Sequence, residues 1–147
     1  MPPEIENVTL IVVDALRTDR VGAYSGNDYT PNIDSLANDG EIFERCFSCV
    51  NATDSSVTTI LTGSYPTRHG VLHHGERVTE EEQQFVAGTT PLPELLSSSH
   101  ETISIDTLER WHQRGFGTYI NPRRGNTSPL SQPAKNIIEQ LPPSVEK

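Results

Sequence analysis

The sequence predicts an α/β fold: a mainly parallel sheet flanked by helices, incomplete in extent. Three observations predict it. Residues 8–13, Val8-Thr9-Leu10-Ile11-Val12-Val13, form an unbroken apolar, β-branched run, the pattern of a strand buried on both faces of a parallel sheet. Strand-like and helix-like stretches then alternate along the chain in the order of parallel crossover units. Finally, only three strand-like stretches are found, where about 5–6 strands are usual, so the 147 residues read as part of a domain.

Each element has a local reason. The first strand ends abruptly in Asp14, and the carboxyl end of a central strand is where open α/β sheets bind ligands. Residues 30–40 read as a short helix with Thr30 as N-cap, Pro31 in the first turn and Gly40 as a left-handed stop. Ile33, Leu36 and Ala37 make its apolar face. Residues 41–50 read as a second strand led by Ile42 and Phe43. Residues 54–61 read as a second helix closed by Gly63, and residues 65–70 as a turn. The polar stretch 72–90 reads as a surface excursion. A third helix follows at 91–99 with Leu92, Leu95 and Leu96, then a third strand at 101–105. Trp111, Phe116 and Tyr119 add aromatic packing without periodicity. Residues 121–133 are a Pro/Gly/Ser-rich loop, and 134–141 a last short helix.

Composition narrows the function. The net charge of −9 argues against nucleic acid as a partner, because phosphate neutralisation needs a basic face. Only Lys135 and Lys147 among the eleven basic residues are lysine. This fits a high-salt cytoplasm that screens like charges, and equally an ordinary acidic protein. No run approaches the ~20 apolar residues of a membrane span. The N-terminal residues show neither a basic start nor an apolar stretch, so a cytoplasmic location is expected. Cys46 and Cys49 are spaced C-x-x-C but lack the second pair of a zinc site, and read as structural or incidental thiols.

Two positions stand out for chemistry. A carboxylate at Asp14 is costly unless paired or bound to a cation; it is a candidate divalent-metal ligand, or else a cap or a partner for Arg17 or Arg20. Thr53 stands just before the helix at 54–61. Its hydroxyl would lie at the positive helix end, which attracts an anionic ester group, and a neighbouring metal would make it a nucleophile. The plain alternative is that Thr53-Asp54-Ser55 is an N-cap arrangement. His69, His73 and His74 raise metal binding, with a turn and a polar excursion as the simpler readings. His100 and His112 have no partner at ligand spacing. Arg123-Arg124 reads as a solvated loop. Asn7-Val8-Thr9, Asn51-Ala52-Thr53 and Asn126-Thr127-Ser128 match the glycosylation pattern by chance.

Three ordered motifs resemble the sulfatases of the alkaline phosphatase superfamily. Residues 7–24, from Asn7-Val8-Thr9 through Asp14-Ala15-Leu16-Arg17-Thr18-Asp19-Arg20 to Gly22-Ala23-Tyr24, resemble the family's start. Thr30-Pro31-Asn32-Ile33-Asp34-Ser35-Leu36-Ala37, with Gly40 and Phe43, resembles its TPNxDxLA…G…F segment. Leu61-Thr62-Gly63-Ser64-Tyr65-Pro66-Thr67-Arg68-His69-Gly70-Val71 resembles its LTGxYPxxHGV segment. Weaker similarity continues at Leu92-Pro93-Glu94-Leu95-Leu96. The resemblance implies Asp14 as metal ligand, Thr53 as nucleophile and metal contact, and His69 as a residue shaping the site. It implies a divalent metal, calcium in a sulfatase-like site and zinc or manganese in a phosphodiesterase-like one, with a small anionic ester as substrate. Residues 1–147 would be the N-terminal part of the catalytic domain.

The chain departs from the family at two places. The second of two adjacent aspartates is Ala15, and the C/S-x-P-x-R motif that yields formylglycine is replaced by Thr53-Asp54-Ser55-Ser56-Val57. Formylglycine is therefore not expected, and an unmodified Thr resembles the phosphatase and phosphodiesterase branch. The remaining metal ligands of the family lie far downstream, and Asp106 is the only later carboxylate at a strand end. Asp14 and Thr53 alone cannot fill a calcium or zinc coordination sphere. The sequence thus predicts a metal-dependent hydrolase of sulfate or phosphate esters, inactive without a C-terminal half. The competing reading is a degenerate remnant or assembly module of the same fold. A receiver-like domain with Asp14 as phosphoacceptor fits poorly, because the three motifs do not belong to it.

Overall fold

The computed structural model describes residues 7–72, 84, 86, 88–108 and 110–122. The chain divides into two compact units, Met1–Phe47 and Ser48–Lys147.

In the first unit, a 3₁₀ turn at Thr18–Arg20 leads into α1 (Gly22–Ser25), closed by left-handed Gly26, and then α2 (Pro31–Asp39). The TPNxD motif has a structural purpose here. The Thr30 hydroxyl accepts from the Gly22 N–H at 2.8 Å and donates to Asp34 Oδ1 at 2.9 Å. The same Asp34 oxygen accepts from the Ala23 N–H at 2.8 Å. Thr30 and Asp34 thereby satisfy the first donors of α1, which a one-turn helix cannot satisfy itself. Gly22 has no room for a side chain, since a Cβ there would strike the Asp34 carboxylate and the Asn27 carbonyl.

Several expectations need correction in this unit. Residues 8–13 form no strand; they run into a turn at Asp14-Ala15 and make no backbone hydrogen bond to any described residue. Their five apolar side chains are 50–74% exposed. Residues 41–50 likewise form no strand. A strand needs at least one hydrogen-bonding neighbour, and the described residues supply none to either segment. The Ile33–Leu36 face of α2 is exposed for the same reason. Thr30 does stand at the N-cap of α2, but its hydroxyl serves α1 and makes no cap bond to its own helix, and Gly40 is extended (φ −120°) instead of left-handed.

In the second unit, α3 (Thr53–Thr62) ends at left-handed Gly63, α4 (Pro66–His69) at left-handed Gly70, and α5 (Leu92–Leu96) follows Pro91. The expected turn at 65–70 is thus one turn of helix. Strand β1 (Ile103–Ile105) and β2 (Thr118–Ile120) pair in parallel with Ile103 opposite Thr118 and Ile105 opposite Ile120. The connection holds a 3₁₀ turn at Arg110–Gln113 and is close to the dozen residues a parallel crossover requires. Thr102 closes the entry to both strands: its hydroxyl donates to the Gly115 carbonyl and accepts from the Gly117 N–H, each at 2.9 Å. At the other end the Asp106 carboxylate accepts from the Ser104 hydroxyl, the Leu108 N–H and the Tyr119 hydroxyl. The excursion at 72–90 and the loop from 121 lie mostly outside the described residues, and the helix at 134–141 wholly so.

Among the described residues, the interior of this unit is mostly polar. Among the described residues only Val71, Val86 and Ile120 are buried large apolar side chains of the unit, beside buried Asp54, Ser55, Thr58, His69, Thr102 and His112. The face α3 turns inward is a stripe of hydroxyls, Ser55, Thr58, Thr59 and Thr62, at helical spacing. Thr58, Thr59 and Thr62 each donate to the carbonyl four residues back, at 2.6, 3.0 and 2.7 Å, the back-bonding that lets threonine sit inside a helix. Among the described residues no buried side-chain nitrogen or oxygen lacks a partner. None of the described helices is long and apolar enough to cross a membrane.

Candidate functional site

The structure distributes the sequence candidates over both units. Asp14 lies exposed in the first, followed by Ala15 at φ 55°. Arg17, one of its suggested partners, instead donates to both oxygens of Asp19, at 2.9 and 2.8 Å. Thr53 and His69 lie in the second unit. Thr53 is the first residue of α3, half-buried; Ala52 occupies the N-cap and no side chain caps the helix. The N-cap reading of Thr53 therefore does not hold, and its hydroxyl stands on the first turn, where the helix dipole is positive.

His69 binds that turn to the middle of the helix. It is fully buried, with Nδ1 accepting from the Val71 N–H at 3.1 Å and Nε2 at 3.0 Å from the Thr59 hydroxyl. An acceptor Nδ1 fixes the proton on Nε2, and Thr59 in turn donates to the Ser55 carbonyl. Val71 closes the ring by accepting from the Ser55 hydroxyl at 2.6 Å. Burial pushes the imidazole pKa down from its usual value, opposed by the carbonyls of His69 and Ser55. His69 is thus neutral near pH 7, held between Thr59 of α3 and the Val71 backbone.

Sequence reasoning missed a group of three. The 3₁₀ turn Arg110–Gln113 reaches the same end of α3 from more than fifty residues away. His112 is buried against it, Nε2 lying 3.3 Å from the Thr58 hydroxyl and 3.5 Å from the Asp54 carbonyl. Trp111 donates its indole N–H to the Thr58 hydroxyl at 2.8 Å. The Arg110 guanidinium stands 3.7 Å from the buried Asp54 carboxylate and 5.5 Å from the Trp111 ring centre. Arg110 and Ala15 are the only non-glycine residues with left-handed backbone among those described. Such conformations concentrate at functional sites, and both flank a candidate residue or its neighbour. No spacing rule finds this group, because Thr58 links it to Thr53 only through folding.

The first turn of α3 therefore combines a hydroxyl, a helix N-terminus, a guanidinium balanced by a buried carboxylate, and two imidazoles holding the backbone in place. This set suits an anionic group next to Thr53. It does not suit a metal by itself. Among the described residues no three of His, Cys, Asp and Glu lie together as ligands, and Thr53 supplies only a weak neutral oxygen.

Comparison with known proteins identifies the family. A family model described as Sulfatase matches residues 6–128. An arylsulfatase of Clostridium perfringens is 34% identical over 117 residues, covering 78% of this chain and 23% of its own length. An N-acetylglucosamine-6-O-sulfatase of Bacteroides thetaiotaomicron is 28% identical, covering 72% of this chain and 18% of its own. An N-acetylgalactosamine-6-sulfatase of Rattus norvegicus is 29% identical, covering 75% and 22%. No solved structure gives a significant match. The chain spans about a fifth to a quarter of the length of these relatives. Members of the family use a metal, typically calcium. With the matched span running through all three motifs and the group around α3, the chain belongs to the sulfatase family.

Proposed function

We propose that this chain is the N-terminal part of a catalytic domain that hydrolyses small sulfate or phosphate esters, with Thr53 as nucleophile. The observation that carries the reading is the convergence of Arg110, Trp111 and His112 on Asp54 and Thr58, in the first two turns of α3. The Thr53 oxygen would bond to sulfur or phosphorus as the ester oxygen leaves, and the hydroxyl proton departs with the alcohol. Water then cleaves the Thr53 ester, restoring the hydroxyl and releasing the inorganic anion. Backbone N–H groups of the α3 first turn and the Arg110 guanidinium stabilise the equatorial oxygens. Arg110 attracts the anion, and Asp54 keeps the cation in place.

Asp14 is proposed as one ligand of a divalent cation, calcium in keeping with the family, or zinc or manganese with an unmodified threonine. The described residues do not complete that site, so no step is assigned to it. The completing ligands would come from a C-terminal half, and no formylglycine is involved. Cytoplasmic residence belongs to the same reading. Ala15 favours a second reading, a fold retained as a non-catalytic module.

Anion binding separates the two. Titrating the isotope-labelled chain with sulfate and with phosphate should move the amide signals of Thr53, Asp54 and Ser55 together with the Arg110 guanidinium signal. Arg110→Met should abolish the response and leave the remaining spectrum unchanged. A chain that binds neither anion at this turn refutes the catalytic reading and supports the module.

A further inference from the structure

Asp106 follows β1 at its carboxyl end, where open α/β sheets place working residues, yet the chemistry proposed for Thr53 gives it no part. Its half-buried carboxylate is engaged by the chain around it. Oδ2 accepts from the Ser104 hydroxyl at 2.6 Å, and Oδ1 accepts from the Leu108 N–H at 2.8 Å and from the Tyr119 hydroxyl. The Asp106 N–H donates to the Ile120 carbonyl at 3.1 Å. Asp106 is therefore fastened to both strands, and through Leu108 it grips the chain that leaves β1. Leu108 stands two residues before Arg110.

Arg110 needs a hold on both sides. Its backbone is left-handed (φ 55°), a conformation that a residue with a Cβ keeps only where its surroundings over-determine it. On the far side, the Trp111 indole donates to the Thr58 hydroxyl at 2.8 Å, and His112 Nε2 lies 3.3 Å from the same oxygen. On the near side stands the bond from Leu108 to Asp106. We infer that Asp106 is a positioning residue: it sets the start of this connection so that the Arg110 guanidinium comes to stand 3.7 Å from the Asp54 carboxylate. The role belongs to the place of the Asp106 oxygen and not to its charge, because a backbone N–H is served by an amide oxygen as well as by a carboxylate. The use of that placement rests on the anion site proposed at Thr53; the placement itself exists without any anion.

Two substitutions separate position from charge. Asp106→Asn keeps an acceptor oxygen for the Leu108 N–H and loses the charge. Asp106→Glu keeps the charge and carries the oxygens one methylene further out. The readout is the Arg110 side-chain N–H signal of the isotope-labelled chain with no anion added, and the Trp111 indole signal shows that the fold is intact. Asp106→Asn should match the original chain, with a slowly exchanging Leu108 amide. Asp106→Glu should move the Arg110 signal to where Asp54→Asn moves it and speed exchange at Leu108. Sulfate and phosphate affinity should follow, falling at least about tenfold in Asp106→Glu, the scale of one lost bond to a charged group, and holding in Asp106→Asn. If the original chain binds neither anion, the reading of Thr53 fails, and the anion-free Arg110 signal still decides the role of Asp106. An Arg110 signal unmoved in folded Asp106→Glu overturns the inference. So does the reverse order, in which Asp106→Asn loses the signal and Asp106→Glu keeps it, since Asp106 would then act through its charge. Should Asp106→Glu fail to fold, Asp106→Asn decides alone: a kept Arg110 signal with a protected Leu108 amide supports the role, and a lost one refutes it.

Discussion

Replacing Thr58 by valine should unfasten the candidate site without changing its volume. Thr58 is the hub of the α3 end: its hydroxyl donates to the Asp54 carbonyl at 2.6 Å and accepts from the Trp111 indole at 2.8 Å, with His112 Nε2 at 3.3 Å. Valine keeps the shape and removes the oxygen. The Trp111 N–H then loses its acceptor, and His112, almost wholly buried, loses its contact to the Thr58 hydroxyl. Leaving a buried donor unsatisfied costs about 1–3 kcal/mol. The orphaned indole N–H predicts a loss of about 1–3 kcal/mol, against a total stability of about 5–15 kcal/mol for a domain. Urea unfolding followed by the fluorescence of Trp111, the single tryptophan, measures it directly. With a slope of about 1–2 kcal/mol per molar urea, the midpoint should fall by about 1 M. Thr62→Val is the control: the Thr62 hydroxyl donates to the Thr58 carbonyl at 2.7 Å and accepts from the Ser64 N–H at a long 3.3 Å, neither fully buried, and its loss should cost under about 1 kcal/mol. Equal losses in the two variants would refute the role given to Thr58.

Other outcomes follow from the same contacts. His69 has a folded pKa below its unfolded value of about 6.5, so its contribution to stability is complete above that pH and is lost as pH falls through it. Urea midpoints should therefore drop between pH 7.5 and 5.5, and His69→Gln should flatten that drop; an unchanged slope in the variant counts against His69 as the cause. Gly115→Ala should cost about 3–5 kcal/mol, combining a left-handed backbone (φ 86°) with collision against the Glu94 backbone. Gly26→Ala shares the left-handed backbone (φ 74°) but meets nothing within 4 Å, and should cost only about 1–2 kcal/mol. Thermal midpoints of the two variants decide whether close approach or conformation dominates.

What the sequence made legible was what local chemistry determines. Helix α2 follows Pro31, α3 stops at Gly63, and β1 appears within the expected 101–105. The motifs identified the family because spacing survives in sequence even where structure is incomplete. The strand at 8–13 did not form, because its pattern describes an environment of neighbouring strands that the described residues do not contain. The inward face of α3 escaped notice for another reason. Periodicity searches weigh apolar residues, and Ile60 is exposed while Thr58 is buried. His112 has no partner at ligand spacing in the sequence because the contacts that bury it, to Thr58 and the Asp54 carbonyl, are long-range and not to metal ligands.

The hydroxyl–imidazole interior of the second unit has a thermal consequence. Exposing apolar surface raises the heat capacity on unfolding, while exposing polar surface lowers it. The described part of the unit, which packs Ser55, Thr58, His69 and His112 where most domains pack leucine and isoleucine, adds little heat capacity when it opens. Its stability curve should be shallow and broad, changing slowly between cold and warm, so that temperature does less to this unit than pH.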